Sequence, residues 1–182
     1  MIYLFLANGF EEVEALTPLD ILRRAGLDVR TVSLDTDRAV TGSHNITVTA
    51  DLSGDIFTAA NDHHPDMIIL PGGMPGTTNL DRSPLVETAL QDALATDAYI
   101  AAICAAPMVL GKRGLLEGKR ATCFPGFEDF LFGATEVGGR VVTDGRIITA
   151  AGMGVALDFG LTLAAALTDE ATAEQIRRAI QA

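Results

Sequence analysis

The sequence predicts an α/β domain built on a mostly parallel sheet, and three observations carry that prediction. Apolar runs of strand length alternate with longer segments of helical period. Apolar residues make up 48% of the chain, yet aromatics are only 5% and Trp is absent. The core must therefore come from Ala, Val, Ile and Leu, which suits a parallel sheet covered by helices. The chain has 182 residues, and a domain of that size buries roughly 70% of its unfolded surface. One domain over 1–182 is expected, with no need of staples.

The elements follow in order. Strands are expected over residues 2–7, 28–33, 67–70 and 99–103, then over 120–122, 141–144 and 147–149. The last two, joined by Gly145-Arg146, read as a hairpin at one sheet edge. Residues 45–49 alternate Ile and Val with Asn and Thr, the pattern of a short, half-exposed strand. Helices are expected over 12–25, closed by Gly26 as a left-handed cap, and over 84–95, opened by Pro84. Two more are expected over 153–167 and 172–181. Residues 59–65, with Asn61-Asp62-His63-His64-Pro65, read as a polar turn before a strand.

Bulk properties exclude several classes. The formal charge is −11, and no basic run reverses it locally, so nucleic acid and anionic membrane surfaces are not expected partners. No segment offers the ~20 apolar residues of a membrane span. The opening residues lack a basic leader and read as a strand, not a signal peptide. Two cysteines without an export signal are expected to be free thiols in a reducing cytoplasm.

Three stretches carry candidate chemistry. In Tyr99-Ile-Ala-Ala-Ile-Cys104-Ala-Ala-Pro107, a strand runs into a cysteine and then into a helix starting near Pro107. Ala102, Ala105 and Ala106 supply the small neighbours that a strained strand-to-helix turn, a nucleophile elbow, requires. Unpaired N–H groups at the helix start favour thiolate, so Cys104 is expected to ionise near neutrality. The competing reading is a small core cysteine. In Ile68-Ile-Leu-Pro-Gly72-Gly73, a strand ends in consecutive glycines whose N–H groups can face a cleft, as an oxyanion hole needs. A plain chain reversal is the alternative. The C-terminal ends of neighbouring parallel strands share one crevice, which would set Gly73 beside Cys104. In Asn8-Gly-Phe-Glu11-Glu12-Val-Glu14, three carboxylates crowd the first turn of a helix, where its dipole favours them. One of them could instead face the thiol and shuttle protons, but spacing does not select which.

Together these stretches resemble the ThiJ/PfpI (DJ-one) superfamily, and within it the Parkinson-protein branch. Arg23-Arg-Ala-Gly26 and Asp158-Phe-Gly160 add to the match, which runs nearly end to end. The resemblance implies a flavodoxin-like three-layer sandwich, a homodimer, and a cysteine that oxidises readily to sulfinate. It makes Cys104 the nucleophile, Glu14 the carboxyl bonded to it, and Gly73 with the backbone of Ala105 the anion-binding donors. Gly72 lies beside them. Family activities include cofactor-free conversion of 2-oxoaldehydes such as methylglyoxal to hydroxy acids, deglycation, redox sensing and chaperone action. No metal or cofactor is implied, and the substrate would be a small carbonyl.

The sequence departs from the family pattern in places. Ala105 stands where protease-like and amidotransferase-like relatives place His, which removes the general base of a cysteine hydrolase. Phe124, in Thr122-Cys-Phe-Pro125, stands where the Parkinson branch often has His, and the Gly-Pro-Gly-like turn of relatives reads Gly152-Met153-Gly154. His44 lies where relatives often direct a partner subunit's Arg at the cysteine, which makes it a candidate pocket residue. Cys123 is either a second thiol near the pocket or a packed core residue. His63 and His64 read as solvated loop residues rather than metal ligands.

Overall fold

The computed structural model describes residues 1–59 and 64–182. Its centre is a six-stranded sheet, and the chain enters it through β1 (Ile2–Leu6), followed by α1 (Glu12–Arg24) and β2 (Val29–Ser33). A small antiparallel hairpin, β3 (Ala39–Thr41) with β4 (Thr47–Thr49), precedes α2 (Gly54–Ala59) and β5 (Met67–Leu70). Then come α3 (Gly76–Arg82), α4 (Pro84–Ala95), β6 (Tyr99–Ile103) and the five-residue α5 (Pro107–Gly111). The chain continues through β7 (Arg120–Ala121), β8 (Glu136–Val137), β9 (Val141–Asp144) and β10 (Ile147–Ala150), and ends in α6 (Ala156–Leu167) and α7 (Glu170–Ala179).

The sheet order is β2-β1-β5-β6-β10-β9, and every pairing is parallel except β10 with β9. Counting only the parallel strands, this is the 2-1-3-4-5 order of flavodoxin-like folds. Alternation along the strands builds the three layers. Ile2, Leu4 and Leu6 of β1 join Met67, Ile69, Ala101 and Ile103 on one face, against Ala15, Ile21 and Leu22 of α1 and Phe159 and Leu163 of α6. Tyr3 and Phe5 join Ile68, Leu70, Ile100 and Ala102 on the other, with Leu80 of α3, Leu90 of α4 and Val109 of α5.

The expected parallel sheet, the β9–β10 edge hairpin and the four long helices are all present. Differences lie at the margins. The helix expected from residue 172 begins at Glu170, because the Asp169 carboxylate caps it by accepting from the Thr172 N–H at 2.7 Å. The one expected from 153 opens with a single 3₁₀ turn, Met153–Val155, before α6. The strand at 120–122 pairs with β8 and stays outside the main sheet. Two short helices, α2 and α3, and strand β3 carry too little periodicity to be read from sequence. The turn expected over 59–65 lies in part outside the described residues, His63 among them. Among the described residues, no helix is long and apolar enough to cross a membrane.

Candidate active site

Parallel packing lines up the C-terminal ends of β1, β5 and β6, and the loops leaving them meet in one crevice. Cys104 is the first residue past β6 and takes φ 65°, a left-handed conformation that costs a non-glycine residue roughly 1–2 kcal/mol. Two backbone bonds hold the bend: the Cys104 N–H donates to the Ala150 carbonyl and its own carbonyl accepts from the Phe124 N–H, both at 2.8 Å. Ala105 and Ala106 are buried behind the turn, and the sulfur-bearing residue is itself half-buried. The nucleophile elbow expected from the sequence is the observed geometry.

Loop β5–α3 meets the elbow at two glycines. A Cβ on Gly72 would stand on the Glu14 carboxylate, 2.6 Å from Cys104 Cβ and 3.0 Å from the Ile103 carbonyl oxygen. Gly73 takes φ 88°, and a Cβ there would strike the backbone of Glu11. Only glycine lets the two loops approach this closely. The Gly73 and Ala105 N–H groups both bond toward the Cys104 sulfur.

The structure separates the three carboxylates that spacing left equivalent. Glu11 caps α1, its Oε2 accepting from the Glu14 N–H at 2.7 Å. Glu12 turns away to the β3–β4 hairpin: its Oε1 accepts from the His44 N–H at 2.8 Å, and its Oε2 lies 2.9 Å from His44 Nδ1. Glu14, only 1% exposed, faces the crevice and accepts from the Gly72 N–H at 3.1 Å. Its neighbours are the Cys104 thiol and the Met153 N–H.

Electrostatics at the pair overturn one expectation. The thiol is not held ionised. Burial, then the charge and hydrogen bond of Glu14, push Cys104 up to about 12, outweighing the Ala105 and Gly73 N–H groups. The expected helix dipole is weak because α5 has only five residues. Burial also raises Glu14 to about 7, aided by the charge of Glu11 and opposed by the Cys104 thiol and two backbone N–H groups. The pair therefore sheds its first proton near neutrality, from the carboxyl, and the thiol keeps its own until far above.

The remaining candidates divide. Phe124 and the sulfur both border Gly152: a Cβ there would lie 3.2 Å from the Phe124 ring and 3.9 Å from Cys104 Sγ. His44 is tied to Glu12 in this chain, not to Cys104, and that hydrogen bond raises its pKa. Cys123 is a buried, free cysteine pushed up to about 11, chiefly by burial, as a packed core thiol would be. Sequence reading missed the Met153 N–H, which points at Glu14. The altered Gly152-Met153-Gly154 turn was the only signal for it.

A flavodoxin-like α/β protein with a cysteine on a nucleophile elbow and a buried carboxyl against it is a well-defined class. The DJ-1/PfpI family model matches residues 1–166, and the chain belongs to that family. It is 39% identical over 174 residues to Protein DJ-1 homolog A of Arabidopsis thaliana, a match covering 94% of this chain and 44% of the relative. This chain thus spans under half the length of that plant protein. It is 35% identical to the Parkinson disease protein 7 homolog of Danio rerio, covering 94% of this chain and 92% of the relative. Oxidized Toxoplasma gondii DJ-1 superposes with a TM-score of 0.92 at 33% identity, covering 99% of this chain and 97% of the other. Drosophila melanogaster DJ-1beta gives 0.90 at 33% identity, covering 99% and 96%.

Proposed function

We propose that this protein is a cofactor-free, cysteine-dependent enzyme of the glyoxalase or deglycase type, acting on small 2-oxoaldehydes such as methylglyoxal. The observation that carries the reading is the buried Glu14 carboxyl facing the half-buried Cys104 thiol, beneath the N–H groups of Gly73 and Ala105. Ionised Glu14 takes the thiol proton as sulfur bonds to the aldehyde carbon, and the Gly73 and Ala105 N–H groups hold the oxygen that becomes negative. The proton passes to that oxygen, giving a hemithioacetal. Glu14 then removes the proton on the same carbon and, through an enediol, returns it to the neighbouring carbon, leaving a thioester. Water hydrolyses the thioester to a 2-hydroxy acid and restores the thiol. The sum is one oxoaldehyde plus one water to one hydroxy acid, with no net oxidation.

Phe124 supplies no proton, so Glu14 carries every transfer and turnover is slow. Lactate formation from methylglyoxal by wild type, set against Cys104→Ser, tests the mechanism; equal rates overturn it.

A second reading is favoured by the half-buried sulfur under two N–H donors and by the oxidised state of the Toxoplasma relative. Two equivalents of peroxide convert the thiol through sulfenic to sulfinic acid, releasing two waters, and the oxidised protein serves as a redox sensor or protective chaperone. Intact mass after mild peroxide reports two added oxygens on Cys104. A homodimer is proposed for both readings, supported by exposed Val13 on α1 and Ile46 on the adjoining hairpin, which line one apolar surface groove.

A further inference from the structure

One imidazole serves two of the three carboxylates at the start of α1. His44 Nδ1 lies 2.9 Å from Glu12 Oε2 and 3.9 Å from Glu11 Oε1. The other oxygen of Glu11 accepts from the N–H of Glu14 itself at 2.7 Å. A ring on the β3–β4 turn is thus one carboxylate away from the backbone of the acid that faces Cys104. The hairpin is fastened to the same loop by its backbone: the Gly9 N–H donates to the Thr41 carbonyl and the Ser43 N–H to the Phe10 carbonyl, both at 2.8 Å. Gly42 allows the approach, since a Cβ there would stand on the Glu12 side chain. Among the described residues, neither Glu11 nor Glu12 has an Arg or Lys partner, although Glu12 is buried.

We propose that His44 is a positioning residue for Glu14: its ring ties Glu12, stands beside Glu11, and so fixes and offsets the two carboxylates that crowd the acid facing Cys104. The inference rests on the role of Glu14 as base proposed above and adds what balances it. Facing Glu14 are Glu11, Cys104 and the N–H groups of Gly72 and Met153, and the charge of Glu11 raises the Glu14 pKa. Facing His44 are Glu12 and Glu11. The hydrogen bond and charge of Glu12, then the charge of Glu11, raise the His44 pKa above 6.5, which extends the imidazolium toward the pH near 7 where Glu14 ionises. A positive ring beside Glu11 works against the repulsion that Glu14 feels, so losing it should make Glu14 hold its proton to higher pH.

Alkylation of Cys104 by iodoacetamide, with Cys104→Ser as the control, reports the base without requiring turnover. Ionised Glu14 can take the thiol proton, so the wild-type rate should climb through about pH 7 and then level off. In His44→Gln the midpoint should move up by about 0.3–0.5 pH, the size expected of one solvent-exposed charge near the acid. His44→Arg, charged at every pH, should return it to the wild-type value or below. In 1 M salt the wild-type and His44→Gln midpoints should converge. His44→Gln should fold, because the backbone N–H groups of residues 44 and 46 still donate to Glu12 Oε1, at 2.8 and 3.4 Å. A midpoint that His44→Gln leaves in place, that His44→Arg fails to restore, or that stays displaced in salt overturns the proposal. Methylglyoxal turnover is followed in parallel. A midpoint that tracks the charge at position 44 without any turnover upholds His44 while the enzymatic reading fails. Turnover with a midpoint indifferent to His44 does the reverse. A wild-type rate with no inflection from pH 5 to 9 removes Glu14 as base, and the role of His44 with it.

Discussion

The Glu14 carboxylate accepts the Gly72 N–H at 3.1 Å, and this bond, with the Met153 N–H, keeps the acid turned toward the thiol of Cys104 on a different loop. The charge on each group then sets the proton affinity of the other. Neutralising the acid should lower the thiol pKa from about 12, although burial keeps it above an ordinary cysteine. In Glu14→Gln, thiolate absorbance at 240 nm should therefore titrate at lower pH, while methylglyoxal turnover falls by about 100-fold or more. An unchanged thiol midpoint would show that the carboxyl does not face the sulfur.

The same acid governs how activity follows pH. Because Glu14 must be ionised to accept the thiol proton, kcat/KM should rise through pH 7, where the pair loses its first proton, and then level off. A profile flat from pH 5 to 9 would remove Glu14 from the role of base.

Stability should run against activity. Folding raises the Glu14 pKa from 4.5 to about 7. Between those values the folded chain keeps a proton that the unfolded chain has lost, so the group weakens the fold progressively as pH rises through this window. Glu14→Gln removes the penalty and should be more stable than wild type above pH 7, by at most roughly 3 kcal/mol. Urea denaturation at pH 5 and pH 8 checks it. A stabilisation as large at pH 5 as at pH 8 would point to packing instead.

The elbow makes its own prediction. At most positions Gly is less stable than Ala, but Cys104 holds φ 65°. Cys104→Gly should therefore exceed Cys104→Ala in stability by about 1 kcal/mol. Thermal unfolding of the two variants decides the sign.

Gly72 admits no side chain. Gly72→Ala places a carbon on the Glu14 carboxylate and against Cys104 Cβ. It should cost about 1–3 kcal/mol and displace the acid enough to lower turnover by about 100-fold. Near-native activity in this variant would mean that the two loops are not held as closely as described.

Much of the site was legible from residue order. Cys104 among alanines after an apolar strand, and Gly72-Gly73 after another, are local signals, because a strained turn and a close backbone approach are each written in a few adjacent residues. The choice among Glu11, Glu12 and Glu14 was not. It depends on which way each carboxylate leaves the first turn of α1, and partners far along the chain decide that: the His44 N–H and ring nitrogen for Glu12, the Gly72 N–H for Glu14. The tie of His44 to Glu12 within the chain was unreadable for the same reason.

By itself the sequence determined the architecture, the elbow cysteine and the glycine loop, since strand length, helical period and small-residue crowding are properties of consecutive residues. Only the tertiary structure decided the proton balance. Burial and the distance between two charges arise when separate loops converge, and together they hold the thiol protonated beside a carboxyl that ionises near neutrality, where the local helix start alone argued for thiolate.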